Sequence, residues 1–300
     1  MRKIIFASLF LSAFSNPASA DLPLTIEDLL TAQDRYRLEF GLNYANSDRR
    51  NIDSQFDLIQ TGSGSFVLLP VDVGEERRNS DFLAMTLGFR YGVTKDTELF
   101  TRLTATADDV RIQNGSGSDS HSSQQLSDLV MGVNHKFSPD NDTPALLGFA
   151  EITLAENTAT DSSDFVYGKT GQIGFTTYRA IDPVVLSLTA GYRYAGKRNV
   201  KDHSIDPGDL LFINPSVGFA VNNEVTLTGG VQLKFRGKDK VEGSSAGIRT
   251  SQTDLDFGLG YAASKRMTLN FTARADISGD SGAQLGFNLL YKFGDLPTKE

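Results

Sequence analysis

The chain has no cysteine and no tryptophan, and its 300 residues include only three histidines and nine prolines. Without cysteine it can hold no disulfide framework, no thiolate metal centre and no cysteine nucleophile, and three histidines leave little for a histidine metal cage. Neither a cofactor nor a metal site is expected. Positive charge is also scarce: 29 Lys and Arg face 37 Asp and Glu, a net −8 with a sequence pI near 5.0. A broad attraction to nucleic-acid phosphates is therefore not expected. Long apolar runs are missing as well. Beyond residue 20 no window approaches 18 consecutive apolar residues, which excludes ordinary transmembrane helices and leaves a barrel as the way to cross a bilayer.

What is present begins with an address. Arg2 and Lys3 precede an apolar stretch, Ile4 to Phe14, that ends in Ala18-Ser19-Ala20 before Asp21. This is the pattern of a secretory signal peptide over residues 1–20, with an apolar stretch too short to span hydrocarbon. Without Arg2 and Lys3, 27 basic residues remain against 37 acidic ones, so the exported chain carries about −10. Next comes the one helical expectation, in a segment over 21–35. Thr25-Ile26-Glu27-Asp28 has capping-box spacing, and Ile26, Leu29 and Leu30 recur at helical intervals.

From Tyr36 the apolar period becomes two. Tyr36, Leu38, Phe40, Leu42 and Tyr44 share one face, opposed by Arg37, Glu39, Gly41 and Asn43. The pattern recurs over Leu83–Val93, Leu186–Tyr194, Val225–Phe235 and Leu255–Tyr261, with weaker copies elsewhere and a last one over Ala283–Phe293. About twelve strands result. Their connections alternate in length. Short turn-forming links (Thr94–Thr97, Ser138–Thr143, Ala180–Pro183, Asn222-Asn223, Ala263–Arg266) separate long polar segments (Asp48–Ser80, Asp108–Gln124, Glu156–Asp164, Gly196–Asp209, Arg236–Ser251, and a shorter Ile277–Gly282). Short turns at one end and long loops at the other are the layout of an outer-membrane barrel. The expected fold is all-β: a transmembrane antiparallel up-and-down β-barrel over 36–293, with a short N-terminal helix and a periplasmic tail over 294–300.

In such a barrel the apolar face meets lipid and the polar face meets the lumen. The expected lumen-lining set is Arg37, Glu39, Arg90, Glu98, Arg102, Asp128, Glu151, Arg193, Lys234, Asp254, Asp256, Arg274, Asp276 and Lys292. Each of these could line a hydrated passage or pair with a neighbour to close the lumen, because buried charges need partners. Tyr36, Tyr44, Tyr91, Tyr194, Phe235, Tyr261 and Phe293 stand near strand ends, where aromatic girdles belong. Thr25, Ile26, Leu29 and Leu30 form either a lumenal plug or a periplasmic arm. Gln284, Gly286, Leu289, Tyr291 and Phe293 resemble the C-terminal signal by which outer-membrane barrels are recognised for insertion, although here Gly294–Glu300 follow the aromatic.

Two stretches carry a family resemblance: Leu24-Thr25-Ile26-Glu27-Asp28-Leu29-Leu30, and Leu87-Gly88-Phe89-Arg90-Tyr91-Gly92-Val93-Thr94-Lys95-Asp96-Thr97-Glu98-Leu99. The second is similar to the strand-turn-strand of the outer-membrane transporter-like family named for the meta-pathway of phenol degradation. The barrel of functional-amyloid secretion channels looks related in the same way, but its longer N-terminal coiled-coil region is missing. The resemblance implies a barrel that moves something across the outer membrane, without establishing a phenol substrate.

The expected function is an outer-membrane channel or transporter that passes small solutes or an exported substrate through a narrow charged lumen. About twelve strands fall between filled eight-stranded barrels and open porins. Expected partners are outer-membrane lipid and lipopolysaccharide, the barrel-insertion machinery and a cargo of unknown chemistry. Two alternatives stand beside this. One is a non-conducting adhesion scaffold built on the Asp48–Ser80 loop. The other is a membrane hydrolase, for which His121, His135 and His203 offer no neighbouring nucleophile on a defined strand. No catalytic residue is expected. Gly115–Ser118 lacks the Gly-Lys-Ser/Thr ending of a phosphate loop.

Overall fold

A computed structural model describes residues 30–52, 56–62, 64–70, 74–114, 117–158, 165–200, 203–246, 248–278 and 281–294. The expected signal peptide, Thr25, Ile26 and Leu29 of the expected helix, and the tail beyond Gly294 lie outside the described residues. No helix occurs among the described residues. Leu30 to Arg35, the end of the segment expected to be helical, instead runs through a bend, and Gln33 makes a parallel bridge to Gly92.

Nineteen strands follow in chain order. They are β1 (Tyr36–Ile52), β2 (Phe56–Gly62), β3 (Ser65–Pro70), β4 (Gly74–Thr94), β5 (Thr97–Asn114), β6 (Gly117–Ser138), β7 (Ala145–Asn157), β8 (Phe165–Val166), β9 (Thr170–Ile181), β10 (Val184–Ala195), β11 (Arg198–Val200), β12 (His203–Asp206), β13 (Leu210–Ala220), β14 (Val225–Arg236), β15 (Asp239–Val241), β16 (Ser244–Ala246), β17 (Thr250–Ser264), β18 (Met267–Asp276) and β19 (Ser281–Phe293). Twelve of these, β1, β4, β5, β6, β7, β9, β10, β13, β14, β17, β18 and β19, pair antiparallel with their neighbours. The β1–β19 and β6–β7 pairings close the cylinder. Closure leaves no sheet edge, the condition for a β structure in hydrocarbon.

The two faces of the wall are inverted relative to a soluble protein. Leu87 is 55% exposed, Phe257 60% and Leu285 59%, while Glu98 and Gln232 inside the cylinder are fully buried. Tyr36 stacks on Tyr91 with centroids 5.0 Å apart and lies opposite Phe293 at the end bearing the short turns, while Tyr44, Tyr194 and Phe235 stand exposed toward the other end. Aromatic bodies with polar tips suit both membrane interfaces. Short turns mark the periplasmic end in this architecture.

Three of the expected long loops contain strands. β4, β5 and β6 run for 21, 18 and 22 residues, about twice what a tilted span needs. The Asp108–Gln124 segment is therefore mostly the protruding part of the β5–β6 hairpin, with Val110 paired to His121. Beyond the lipid both faces of a strand are wet, so backbone pairing persists without apolar alternation. The Gly196–Asp209 and Arg236–Ser251 segments likewise contribute β11, β12, β15 and β16, which pair into one small sheet over the loop-bearing end.

Leu87 lies halfway along β4 on the outer face, opposite Phe40. A cation there meets acyl chains at mid-depth. Leu87→Arg is expected to destabilise the folded barrel by about 2–4 kcal/mol, read as a lower urea midpoint for unfolding from lipid vesicles.

Candidate functional site

The site is the lumen, and the Asp48–Ser80 segment enters it. The segment is polar overall, yet Phe56–Pro70 alternates well enough to pair as the β2–β3 hairpin around a Gly- and Ser-rich turn, with Gly64 at φ +71°. This hairpin folds inward instead of standing on the surface. On one side Ile59 and Val67 pack with Ala45, Phe82 and Ala84 of the β1–β4 wall. On the other, Phe66 meets Phe212 at 5.1 Å between centroids, beside Leu210, Leu58 and Phe149. Burying Phe66 alone contributes about 1.5–3 kcal/mol. A hairpin gripped on both faces by dry clusters spans the bore. The apolar pairs Leu58-Ile59 and Phe66-Val67 on either side of a Gly- and Ser-rich turn are the sequence signal of this hairpin, and the expectation of a polar surface loop does not use it.

Polar contacts fix the hairpin's tip. Gln172 donates from Nε2 to the Gly64 carbonyl at 2.6 Å, Arg193 to the Phe66 carbonyl at 2.9 Å, and Arg102 to Ser65 Oγ at 2.9 Å. From β1, Asn43 donates to the Thr61 carbonyl at 3.3 Å. Arg102 also pairs with Glu151 at 3.6 Å, and buried Asp128 interacts electrostatically with both Arg102 and Arg193. Four of the residues expected to line the lumen thus stand together behind the hairpin, and the two arginines hold it.

A second group seats the N-terminal Leu30–Arg35 segment at the periplasmic end. Glu98 accepts hydrogen bonds from the Thr31 amide at 2.6 Å and the Thr31 hydroxyl at 2.5 Å, from Arg90 at 2.7 Å and from Asn134 at 2.8 Å. Arg90 bridges on to Glu39 at 2.5 Å, and Arg37 donates to the Leu30 carbonyl at 3.2 Å. The backbone of Leu30–Arg35 runs against Gly92, where a Cβ would lie 2.1 Å from the Ala32 carbonyl oxygen. Only glycine permits that approach. Along the far wall, Lys234 pairs with Asp254 at 2.8 Å and Arg274 with Asp256 at 2.5 Å, Arg274 also reaching Gln284 at 2.9 Å.

Between the hairpin and Leu30 lies a chamber of 510 Å³. Seven of the fourteen expected lumen residues border it: Arg37, Glu39, Arg90, Arg102, Glu151, Asp256 and Arg274. Glu98, Asp128, Arg193, Lys234 and Asp254 are buried within the barrel but do not border the chamber. Asp276 lies at the loop end of β18, accepting from the Ser278 amide and hydroxyl at 2.8 and 2.6 Å, and Lys292 lies near the periplasmic end of β19. Beside Asp256 and Arg274, the wall from β13 to β19 meets the chamber through asparagines and small side chains. Thr228 lies over Gly258 and Thr272 over Gly286, each hydroxyl within 2.3 Å of where a Cβ would stand. Glycine opposite threonine keeps that wall thin and the bore wide.

Of the C-terminal residues, Leu289, Tyr291 and Phe293 alternate on the lipid side with Leu285, while Gln284 and Gly286 turn to the lumen. His135 contacts Thr97 Oγ1 at 2.9 Å near a periplasmic turn, and His121 and His203 are exposed on protruding strands. Among the described residues no three His, Cys, Asp or Glu side chains converge as a metal site.

The model of the family described as "Putative MetA-pathway of phenol degradation" matches residues 80–293. The chain belongs to this family. The match takes in the Leu87–Leu99 strand-turn-strand, and Leu24–Leu30 falls outside it. Among solved structures, this phenol-degradation-family barrel is similar to the COG4313 outer membrane channel from Pseudomonas putida F1. They are 12% identical with a TM-score of 0.61, over 94% of this chain and 100% of that one. It is also similar to the translocator domain of the autotransporter NalP from Neisseria meningitidis, at 10% identity and a TM-score of 0.54, over 88% and 90% of the two chains. At such identities the likeness is one of fold: a twelve-stranded outer-membrane β-barrel. No curated protein matches the sequence.

The Gly92 contact makes the N-terminal seat testable in the family barrel. Gly92→Ala is expected to expel Leu30–Arg35 while leaving the wall intact. Faster amide exchange confined to those residues, with unchanged exchange over the rest of β4, is the measurement; uniform protection in the variant would contradict the packing described.

Proposed function

We propose that this barrel is an outer-membrane channel for small solutes, with the β2–β3 hairpin as its constriction and the charged lumenal residues as its lining. The observation that carries the reading is the 510 Å³ chamber on the barrel's interior, bounded by the hairpin tip on one side and by Leu30 on the other. A volume of this size suits one small molecule, and a barrel filled only for stability has no use for it. One solved structure with this fold over 94% of this chain is described as an outer membrane channel.

Arg102 and Arg193 hold the hairpin by hydrogen bonds to one side chain and one carbonyl, contacts that can break and re-form without unfolding the wall. The residues that the sequence marks as lumenal then have two tasks. Those behind the hairpin set its position, and those around the chamber set the field a solute meets. An adhesion scaffold draws less support, because the hairpin that takes up much of its supposed surface loop is packed inside. We assign no enzymatic step. Leu289, Tyr291 and Phe293 fit the insertion signal by their shared lipid-facing alternation, and lipid and lipopolysaccharide are the partners the outer face suits.

Purified full-length protein in planar bilayers tests the reading. Wild type is expected to give small discrete conductance steps. Replacing Phe56–Pro70 by a short Gly-Ser link is expected to enlarge them several-fold, toward the open lumen of a barrel of this size. Absence of current from both proteins would falsify the channel.

A further inference from the structure

The chamber is saturated electrostatically but not in its hydrogen bonds. Its ionic side chains already have partners: Arg90 with Glu39 at 2.5 Å, Arg102 with Glu151 at 3.6 Å, and Arg274 with Asp256 at 2.5 Å. Asn43, Asn134 and Gln172 are likewise engaged, by Thr61, Glu98 and Gly64, but three other asparagines are not fully so. The Oδ1 atoms of Asn214, Asn270 and Asn288 are buried without a hydrogen-bond partner, and all three residues border the chamber. Asn270 and Asn288 stand directly opposite one another on β18 and β19.

Half-way round the twelve-stranded wall from β18 is β7, whose Phe149 borders the same chamber. Its ring reaches across the neighbouring strand at Gly174, where a Cβ would lie 2.3 Å from Phe149 Cζ. Phe149 packs in part against the Phe66, Leu210 and Phe212 cluster, and the part left uncovered borders the chamber. The chamber therefore offers one aromatic edge and, on the opposite wall, the cross-strand amide pair Asn270–Asn288.

We propose that this chamber binds an uncharged polyhydroxylated solute, the chemistry of a mono- or disaccharide, with its apolar side on Phe149 and its hydroxyls on Asn270 and Asn288. The proposal rests on the channel reading and names the solute class. A small ion entering here must compete with pairs already formed, and opening one leaves its partner charged and buried. An apolar solute would cover the asparagine amides and leave them unpaired, a state polar groups avoid. A neutral solute with hydroxyls along one edge meets neither penalty. Its hydroxyls donate to the amide oxygens and accept from the amide nitrogens, as pocket specificity by a few placed polar groups requires.

The test is occlusion of ion current through the full-length reconstituted protein by four solutes: glucose, gluconate, glucosamine and benzyl alcohol. Glucose is expected to block at the lowest concentration. Asn270→Ala/Asn288→Ala is expected to raise its half-blocking concentration by about tenfold, the worth of roughly one hydrogen bond left unmade. The proposal is overturned if gluconate, glucosamine or benzyl alcohol blocks as well as glucose, or if glucose leaves the wild-type current unchanged. The wild-type ranking decides the matter alone if the double variant does not fold. Titration calorimetry of glucose into the detergent-solubilised wild type separates the two claims. Heat of binding without any current overturns the channel and keeps the site, whereas current without binding or block overturns the site and keeps the channel.

Discussion

Every backbone amide and carbonyl that faces hydrocarbon must be bonded within the protein, and the rest of this structure follows from that constraint. A chain with no long apolar run can meet it only by closing a sheet on itself, which β1 and β19 do over thirteen residue pairs from Tyr36–Phe293 to Asp48–Ser281. Once the cylinder is closed, alternation assigns every second side chain to lipid and the remainder to the bore. The ionic residues cannot then avoid one another. Arg90, Glu39 and Glu98, Lys234 and Asp254, and Arg274 and Asp256 pair because the register sets them side by side on adjacent strands of an inner face shielded from bulk water.

The lumen is built asymmetrically. From β5 to β13 the wall presents Arg102, Asp128, Glu151, Gln172, Arg193 and Phe212, and these hold the inward hairpin. From β14 round to β19 it presents Thr228, Gly258, Thr272 and Gly286 beside the Lys234–Asp254 and Arg274–Asp256 pairs, while Asn43 and Ala45 of β1 join in holding the hairpin. The glycines matter here for their volume. Thr86 lies over Gly41 as Thr272 lies over Gly286, so a methyl group at either glycine would meet a hydroxyl from the next strand at 2.2 or 2.3 Å. The arc from β5 to β13 together with β1 and β4 thus anchors the constriction, and the small residues of β14 to β19 leave space beside it.

Much of this was legible in the residues. Tyr36–Tyr44, Leu83–Val93 and Leu255–Tyr261 alternate strictly because each crosses lipid, and the strand number, the short turns and the family follow from such segments. Legibility stopped where the lipid stops. Asp108–Gln124 reads as loop because alternation lapses, yet the β5–β6 pairing continues there through water-exposed residues. The Phe56–Pro70 hairpin was overlooked for the opposite reason. Its apolar residues face two separate walls, so Leu58 and Ile59, and again Phe66 and Val67, pack in succession against opposite clusters and break the one-sided pattern.

By itself the sequence determined the barrel and its approximate strand count, because a chain that crosses lipid with a period of two and no long apolar run must close a sheet. Only the tertiary structure decided what the inward residues do there. Arg193 and Phe66 are 127 positions apart and Thr31 and Glu98 are 67 apart, and no local pattern announces a contact made across a closed lumen. Whether an inward charge borders a passage, clamps a hairpin or seats the N-terminal segment depends on which strands the closure brings face to face.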